Sequence, residues 1–224
     1  MKISFSFDDN HIKNLNLARL FSIYKFPATF FINIIPQQGH PSLTAENIIY
    51  LHQQGFEIGA HTVSHSRLPY LTPELIKFEL TYSKKLLENL LDCEINGFCY
   101  PKGQYNSNIL ALVKEAGFKY ARATGEGGLY TFNPYRIIPT VQIYNKPYRR
   151  LQRIKSGYPF DCFGDWRRTT VNFIEKYKNK DVTIRIFGHG WEIEQQRLWN
   201  SLSDLLDYIE NKDYEVVTES HAIL

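Results

Sequence analysis

The sequence predicts an α/β protein, namely a single-domain, irregular (β/α) barrel with about seven or eight mostly parallel strands. Short runs of β-branched and aromatic residues alternate with longer amphipathic runs, which is typical of a parallel sheet covered by helices. No GxGxxG motif follows the first predicted strand, which argues against a doubly wound dinucleotide-binding sheet. The length of 224 residues suits one large domain, residues 1–224, better than two small ones.

Strands and helices alternate along the first half of the chain. The predicted strands are residues 1–7, 28–32, 55–60 and 97–100. Between them, an apolar stripe at helical spacing covers residues 12–23, and Thr44 is the N-cap of a helix that ends near residue 54. Thr72 and Pro73 begin the clearest helix, because threonine is favoured at the N-cap and proline at the first helical position.

The second half continues this alternation. The predicted elements are a helix over 106–116, a strand over 118–123, an extended run over 135–144, a helix from Asp165 to about residue 178, a strand over 182–187, a helix over 198–209 and a strand over 214–218. Parallel strands end at one edge of such a sheet, so we expect the residues that follow the strands to converge there.

Composition and charge exclude several classes of protein. Hydrophobic residues make up 43% of the chain and charged residues 22%, which is typical of a folded globular domain. The net charge of +3 is too small for a nucleic-acid-binding surface, and the longest apolar stretch, residues 26–36, is shorter than the ~20 residues that span a membrane. Three cysteines without a CxxC pair, and the lack of a secretory apolar region at the start, predict a cytoplasmic protein. The sequence does not indicate an oligomeric state.

Two groups of polar residues at predicted strand ends suit a metal site. Asp8 and Asp9 follow the first strand, and His61 and His65 follow the third. The histidines are four residues apart, a spacing that places both imidazoles on one face of a helical turn. Together with a carboxylate from either aspartate, they form a set of ligands that suits a divalent metal ion. The other aspartate would then accept a proton from water.

Each feature also has a simpler interpretation. Asp8 and Asp9 are compatible with a polar turn, and His189, after the seventh strand, is compatible with an ordinary loop histidine. Tyr105 and Trp191 lie near strand-end loops, where they are candidates for ligand contacts, but rings in a barrel are more often core residues.

Two of these segments resemble motifs of the polysaccharide deacetylases of the NodB-homology class, also called carbohydrate esterase family four. Residues 6–10, Ser-Phe-Asp-Asp-Asn, are similar to the family's Thr-Phe-Asp-Asp-Gly, and residues 61–65, His-Thr-Val-Ser-His, match its His-(Ser/Thr)-x-x-His. The resemblance implies that the catalytic base is Asp8 and that the metal ligands are Asp9, His61 and His65.

A third segment, residues 98–103, is similar to the one in which the backbone N–H after a proline contributes to the oxyanion hole, here that of Lys102. The family's arginine, which orients the catalytic aspartate, is replaced by Cys99, and we expect Arg122 of the next strand to take its place. Asn10 replaces the glycine of the first motif, and asparagine tolerates the left-handed backbone that a glycine supplies.

The last two similar segments lie in the second half. Asp165 and Trp166 match a pair in which the aspartate orients the catalytic histidine and the tryptophan forms a wall of the acyl pocket. Asp165 also suits the N-cap of the helix that follows it. Phe187 and His189 match the family's Leu-x-His, which implies that His189 is the general acid and Phe187 the opposite wall.

The resemblance implies a metal-dependent hydrolase that removes an N-linked acyl group, with acetyl expected, from an amino sugar or an oligo- or polysaccharide intermediate. The implied partners are an N-acylated carbohydrate and a divalent metal ion, with Zn²⁺ as the expected ion. Two alternatives are open. Phe187 in place of leucine narrows the pocket and suits a deformylase or related C–N hydrolase that acts on a nucleotide- or lipid-linked sugar. The missing arginine at Cys99 suits a catalytically weakened carbohydrate-binding relative.

Overall fold

The computed structural model describes residues 1–37, 39–145 and 164–224 and contains one eight-stranded sheet. The strands are β1 Lys2–Asp8, β2 Thr29–Ile32, β3 Glu57–Ala60, β4 Gly97–Cys99, β5 Tyr120–Arg122, β6 Val141–Gln142, β7 Thr183–Gly188 and β8 Val216–Val217. Their order is β5-β4-β3-β2-β1-β7-β6, β8 also pairs with β1, and all of these pairings are parallel. The predicted (β/α) barrel is confirmed.

Eight α-helices lie in the described residues. They are α1 Asn14–Ile23, α2 Ala45–Gln53, α3 Pro73–Leu91, α4 Ser107–Glu115, α5 Trp166–Tyr177, α6 Gly190–Gln195, α7 Trp199–Asn211 and α8 Glu219–Ile223. Short 3₁₀ helices cover Leu68–Tyr70 and Pro101–Gly103. Among the described residues, no helix is both long and apolar enough to cross a membrane.

The predicted extended run over residues 135–144 is a β-strand only at Val141–Gln142, because the rest of it crosses between two edges of the sheet. Ile137 forms a parallel bridge with Arg122 of β5. A few residues later, Val141 pairs with Ile186 of β7. The run therefore links the two ends of the sheet and closes the barrel.

The side chains of β1 alternate between two faces, one packed in the apolar core and the other facing the polar interior of the barrel. Phe5 and Phe7 face α1, where their rings meet the ring of Phe21 at centroid distances of 5.0 and 5.4 Å. Successive side chains of a strand point to opposite faces, so Ser6 and Asp8 face the interior of the barrel. Asp8 is the last residue of β1 and is 1% exposed. The fold thus places a buried carboxylate at the carboxyl edge of the central strand.

Candidate active site

Asp8 forms a buried ion pair with Arg122, which is the last residue of β5. The Arg122 Nη2 donates to Asp8 Oδ1, and both side chains are at most 1% exposed. The guanidinium lies between the rings of Phe31 and Phe187, 5.0 and 5.1 Å from their centroids, which adds cation–π contacts. Burial alone would lower the pKa of Arg122, but the Asp8 carboxylate, together with smaller contributions from Cys99, Glu219 and Tyr120, raises it. The guanidinium is therefore charged, and Asp8 and the two rings hold it in place.

The arginine reaches Asp8 from a different strand than in the family pattern. Cys99, which stands where the family has arginine, is the register partner of Arg122 in the β4–β5 ladder. The Cys99 Sγ is 3.6 Å from Asp8 Oδ2, and burial raises the pKa of this thiol well above its usual range. Cys99 is thus a neutral thiol donor on one carboxylate oxygen, while Arg122 contacts the other. The expected contact of Arg122 with Asp8 is present in the structure.

Asp9, His61 and His65 converge as a candidate metal centre. Asp9 Oδ1 is 3.8 Å from His61 Nε2 and 3.4 Å from His65 Nε2, and the three candidate ligand atoms lie within 4.8 Å of one another. The His61 Nδ1 is 2.7 Å from the carbonyl oxygen of Cys99, which can only accept. Nδ1 therefore carries the proton, and the Nε2 lone pair is free to bind a cation. Two imidazoles and one carboxylate suit a first-row divalent ion.

Electrostatics keep these side chains in their metal-binding forms. Burial alone would raise the pKa of Asp9, but His189, His61 and His65 and a hydrogen bond from Trp191 lower it to about 2. Burial and the neighbouring charge of His61 lower the pKa of His65 to about 4. Near neutral pH, Asp9 is therefore ionised and His65 is neutral, as metal binding requires.

Two side-chain donors orient the Asp9 carboxylate. Gln37 Nε2 donates to Oδ1 at 3.0 Å, and Trp191 Nε1 donates to Oδ2 at 3.1 Å. Sequence reasoning did not find Gln37, because nothing in its local sequence distinguishes it from other loop residues. Donors of this kind fix the rotamer of a metal ligand before the ion arrives.

Left-handed backbone conformations cluster at this edge of the barrel. Asp9, Thr62, His65 and Lys102 have φ values of 70°, 66°, 57° and 56°. A non-glycine residue in this region costs about 1–3 kcal/mol, and such residues concentrate at functional sites. Asp9 adopts the left-handed conformation and Asn10, which stands where the family has glycine, does not, so the tolerance of asparagine for this conformation is not needed at that position.

His189 lies beside Asp8 and is paired with Glu192. Its Nε2 is 4.0 Å from Asp8 Oδ2, and its Nδ1 is 2.7 Å from Glu192 Oε2, which also accepts from Gln142 Nε2 at 3.1 Å. Burial alone would lower the pKa of His189, but the hydrogen bond and charge of Glu192, together with Asp8 and Asp9, raise it. The protonated, proton-donating form of His189 is thereby favoured. Sequence reasoning missed Glu192, whose only signal is its place three residues after His189 at the start of α6.

Asp165 does not have the contact that the sequence predicted. Its side chain is exposed and accepts from the Arg168 N–H at 3.1 Å, which caps the N-terminus of α5. Within the described part of the chain, the carboxylate on His189 Nδ1 is that of Glu192. The predicted pairing of Asp165 with His189 is therefore corrected, and the simpler N-cap interpretation agrees with the structure.

Lys102 lies in the short 3₁₀ helix that follows β4. A side chain at Gly103 would meet Thr124 Oγ1 at 2.1 Å, so the turn approaches the chain after β5 more closely than any residue but glycine allows. Burial is the largest cause of the low pKa of His65, the charge of His61 lowers it as well, and the charge of Lys102 lowers it further. Lys102 is thus placed near His65, one of the candidate metal ligands.

The four predicted aromatic residues occupy different environments. Phe187 is 2% exposed and meets the His189 ring edge to face at 6.4 Å, and the Trp191 ring lies 5.6 Å from His189. Tyr105 stacks on Tyr100 at 4.7 Å and is partly buried. Trp166 is fully buried in the apolar core. Phe187 and Trp191 therefore border the general-acid candidate.

Comparison with known proteins agrees with this arrangement. The sequence model of the family described as polysaccharide deacetylase matches residues 1–121, which is more than half of the chain. The chain therefore belongs to the polysaccharide deacetylase family.

The curated relatives match only part of this chain. A Bacillus subtilis protein provisionally named a polysaccharide deacetylase is 31% identical over 60% of this chain and 50% of its own length. The peptidoglycan deacetylase of Helicobacter pylori is 28% identical over 54% of this chain and 39% of its own length. The chain thus spans about half or less of these curated relatives. An acetyl xylan esterase of family four from Clostridium thermocellum shares the fold, with a TM-score of 0.67 and 16% identity over 99% of this chain and 90% of that one.

Proposed function

We propose that this protein is a metal-dependent hydrolase that removes an N-linked acetyl group from an amino sugar within an oligo- or polysaccharide. The observation that carries the proposal is the adjacency of three parts: the Asp9, His61 and His65 cluster, the buried Asp8 carboxylate and the His189–Glu192 pair. Amide hydrolysis needs an activated water, a stabilised oxyanion and a proton for the departing amine, and these parts supply groups for each need.

Asp9, His61 and His65 would hold the cation, and we propose Zn²⁺ as the ion. A bound divalent ion supplies a Lewis acid that polarises the amide carbonyl and lowers the pKa of water. Asp8 accepts the proton of the attacking water at Oδ2, which faces His189 and is contacted by the Cys99 thiol, because Arg122 holds Oδ1. The fixed ion pair prevents the carboxylate from turning away between turnovers.

His189 donates a proton to the nitrogen of the sugar as the C–N bond breaks, which converts a poor leaving group into a neutral amine. Glu192 holds the ring through Nδ1, so Nε2 is the atom that faces the substrate and Asp8. The backbone N–H of Lys102 is proposed to donate a hydrogen bond to the oxyanion, in addition to the stabilisation that a bound cation would give. Phe187, Trp191 and Tyr105 are the proposed contacts for the acetyl methyl group and the sugar rings, whereas Trp166, which is fully buried in the apolar core, is not proposed as one.

Acetyl is favoured over formyl by the relatives, whose names describe deacetylases and an acetyl esterase. The ion pair of Arg122 with Asp8 supports an active enzyme over a weakened binding relative, since it supplies the guanidinium that Cys99 lacks.

The test is metal removal followed by reconstitution. We expect protein treated with a chelator to release no acetate from N-acetylglucosamine oligomers, and stoichiometric Zn²⁺ or Co²⁺ to restore the release. N-formylated oligomers serve as the parallel substrate. Metal-free protein with full turnover would contradict metal dependence, and metal-loaded protein that cleaves only the formyl amide would select the deformylase.

Glu192→Gln is expected to reduce turnover by about 10- to 100-fold, less than the full 10²–10⁴-fold contribution of a general acid. Glu192 raises the pKa of His189, and the active acid form is present below that pKa and lost as the pH rises through it. The alkaline limb of the variant's pH profile should therefore lie at lower pH than that of the native enzyme. A profile of kcat against pH measures this shift. An unshifted alkaline limb would refute the role of Glu192.

Asp165→Ala is the matched control for a carboxylate at a helix start. It removes the N-cap of α5 and is expected to lower the free energy of unfolding by about 0.5–2 kcal/mol with turnover unchanged. Urea denaturation and the acetate assay measure the two effects. A drop in kcat without loss of stability would restore the role that the sequence assigned to Asp165.

A further inference from the structure

The loop between the two candidate histidine ligands is held by a carboxylate outside the site. Glu79 projects from α3, is 7% exposed and accepts from two successive backbone N–H groups, Val63 at 2.7 Å and Ser64 at 3.0 Å. The hydroxyl of Ser64 donates to the other carboxylate oxygen. A buried carboxylate is costly unless its oxygens are hydrogen-bonded, and charge-assisted bonds of this kind are the strong ones.

This loop has an unusual backbone. Thr62 and His65 both have left-handed φ values, 66° and 57°, on either side of the residues that Glu79 binds. The carbonyl groups of Thr62 and Val63 face the other way and accept from the N–H groups of Ile34 and Ile35 at 3.3 and 2.7 Å. Glu79 therefore accepts from the N–H groups on one side of this loop, and the chain after β2 donates to the carbonyl groups on the other side.

The two histidines differ in how they are anchored. His61 follows β3 directly, and its Nδ1 is held by the carbonyl oxygen of Cys99 at 2.7 Å. In the described parts of the chain, the His65 ring has no comparable hydrogen bond, and its Nε2 faces Asp9 Oδ1 at 3.4 Å. The position of His65 is consequently set by the backbone that precedes it, which is the backbone that Glu79 holds.

We propose that Glu79 is a positioning residue for the metal centre: it fixes the loop so that His65 meets His61 and Asp9 before the ion binds, and it thereby sets metal affinity. This inference rests on the proposed function, in which these three residues hold the cation. Outer partners of metal ligands commonly contribute 10- to 100-fold to affinity, and Glu79 acts one step further out through the main chain.

The experiment compares metal binding by the Glu79→Gln and Glu88→Gln variants of the 224-residue chain. Both residues lie on α3 and accept from a backbone N–H, but Glu88 contacts that of Ile95, at 3.2 Å, on the chain before β4. We expect Glu79→Gln to weaken Zn²⁺ affinity about 10- to 100-fold and to alter the Co²⁺ absorption spectrum, with Glu88→Gln matching the native protein in both. Circular dichroism checks the fold of each variant.

Ser64→Ala removes only the hydroxyl contact to Glu79 and is expected to weaken Zn²⁺ binding by a smaller factor. If Glu79→Gln does not fold, the Zn²⁺ affinity of Ser64→Ala is the result that tests the proposal. Unchanged affinity in folded Glu79→Gln, or in Ser64→Ala when the former does not fold, overturns the proposal, as does an equal loss in Glu88→Gln. Native protein that binds no metal refutes the proposed function itself, whereas native binding with unaffected variants refutes only the role of Glu79.

Discussion

His61→Ala is expected to abolish stoichiometric metal binding and to reduce acetate release to the background rate, with the barrel still folded. Asp9 and His65 alone leave the ion two protein ligands, and loss of mere outer-shell partners already costs 10–100-fold in affinity. The substitution also leaves the Cys99 carbonyl oxygen without its donor, which costs about 1–3 kcal/mol. Metal analysis after dialysis measures the loss of metal, and circular dichroism checks that the barrel is still folded. Full metal content in this variant would contradict the ligand assignment.

Asp8→Asn separates catalysis from metal binding and is the companion of His61→Ala. The amide cannot take up a proton from water, so turnover should fall by about 10²–10⁴-fold while metal content stays at the native level. Asp8 lies outside the group of Asp9, His61 and His65 that is proposed to hold the ion, although it forms a second close group with His61 and Cys99. Loss of metal from Asp8→Asn would mean that the roles of the two aspartates are exchanged.

Arg122→Met is expected to lower the free energy of unfolding by about 3–5 kcal/mol, because it leaves the Asp8 carboxylate buried without its partner. Methionine fills part of the space between Phe31 and Phe187, so the loss reflects the charge more than a cavity. Urea denaturation of metal-free protein at neutral pH measures the change. A loss below about 1 kcal/mol would show that Asp8 does not depend on Arg122.

Two double variants sharpen this test. Asp8→Asn combined with Arg122→Met removes both charges, so it should lose less stability than the sum of the single changes. Cys99→Arg combined with Arg122→Cys exchanges two residues that are register partners and returns the arginine to the strand where the family has it. Arg122→Met is also expected to lower turnover, because Asp8 loses the partner that holds it, and we expect this exchange to recover part of that turnover. No recovery would mean that the direction of approach to Asp8 also matters.

Much of the site could be predicted because strand ends in a parallel barrel converge. Asp8 and Asp9 at the end of β1, and His61 just after β3, come together once the strands are parallel and adjacent to β2. The spacing of His65 from His61 was likewise a usable signal, because the two rings lie 4.8 Å apart, but they meet through left-handed residues at Thr62 and His65 and not through the predicted helical turn. These contacts depend on strand position and short-range spacing, and both can be read from the order of residues.

The partners of the catalytic candidates could not be predicted in the same way. Glu192 and Asp165 are both acidic residues at helix starts, and sequence similarity favoured Asp165, but α6 begins directly after His189 and brings Glu192 to its Nδ1. Glu79 is separated from the loop it holds by a 3₁₀ turn and part of α3, so its contact depends on how that helix packs.

From the order of residues alone follow the parallel barrel, the polar edge where its strands end and the chemical types gathered there. The contact of Arg122 with Asp8 was expected from its place at the end of the next strand, whereas which carboxylate orients His189 and which acid holds the histidine loop follow from the folded chain. The reason is physical: alternation and spacing specify the face and the edge on which a residue lies. A hydrogen bond of about 3 Å, however, depends on strand register and helix packing between segments far apart in the chain.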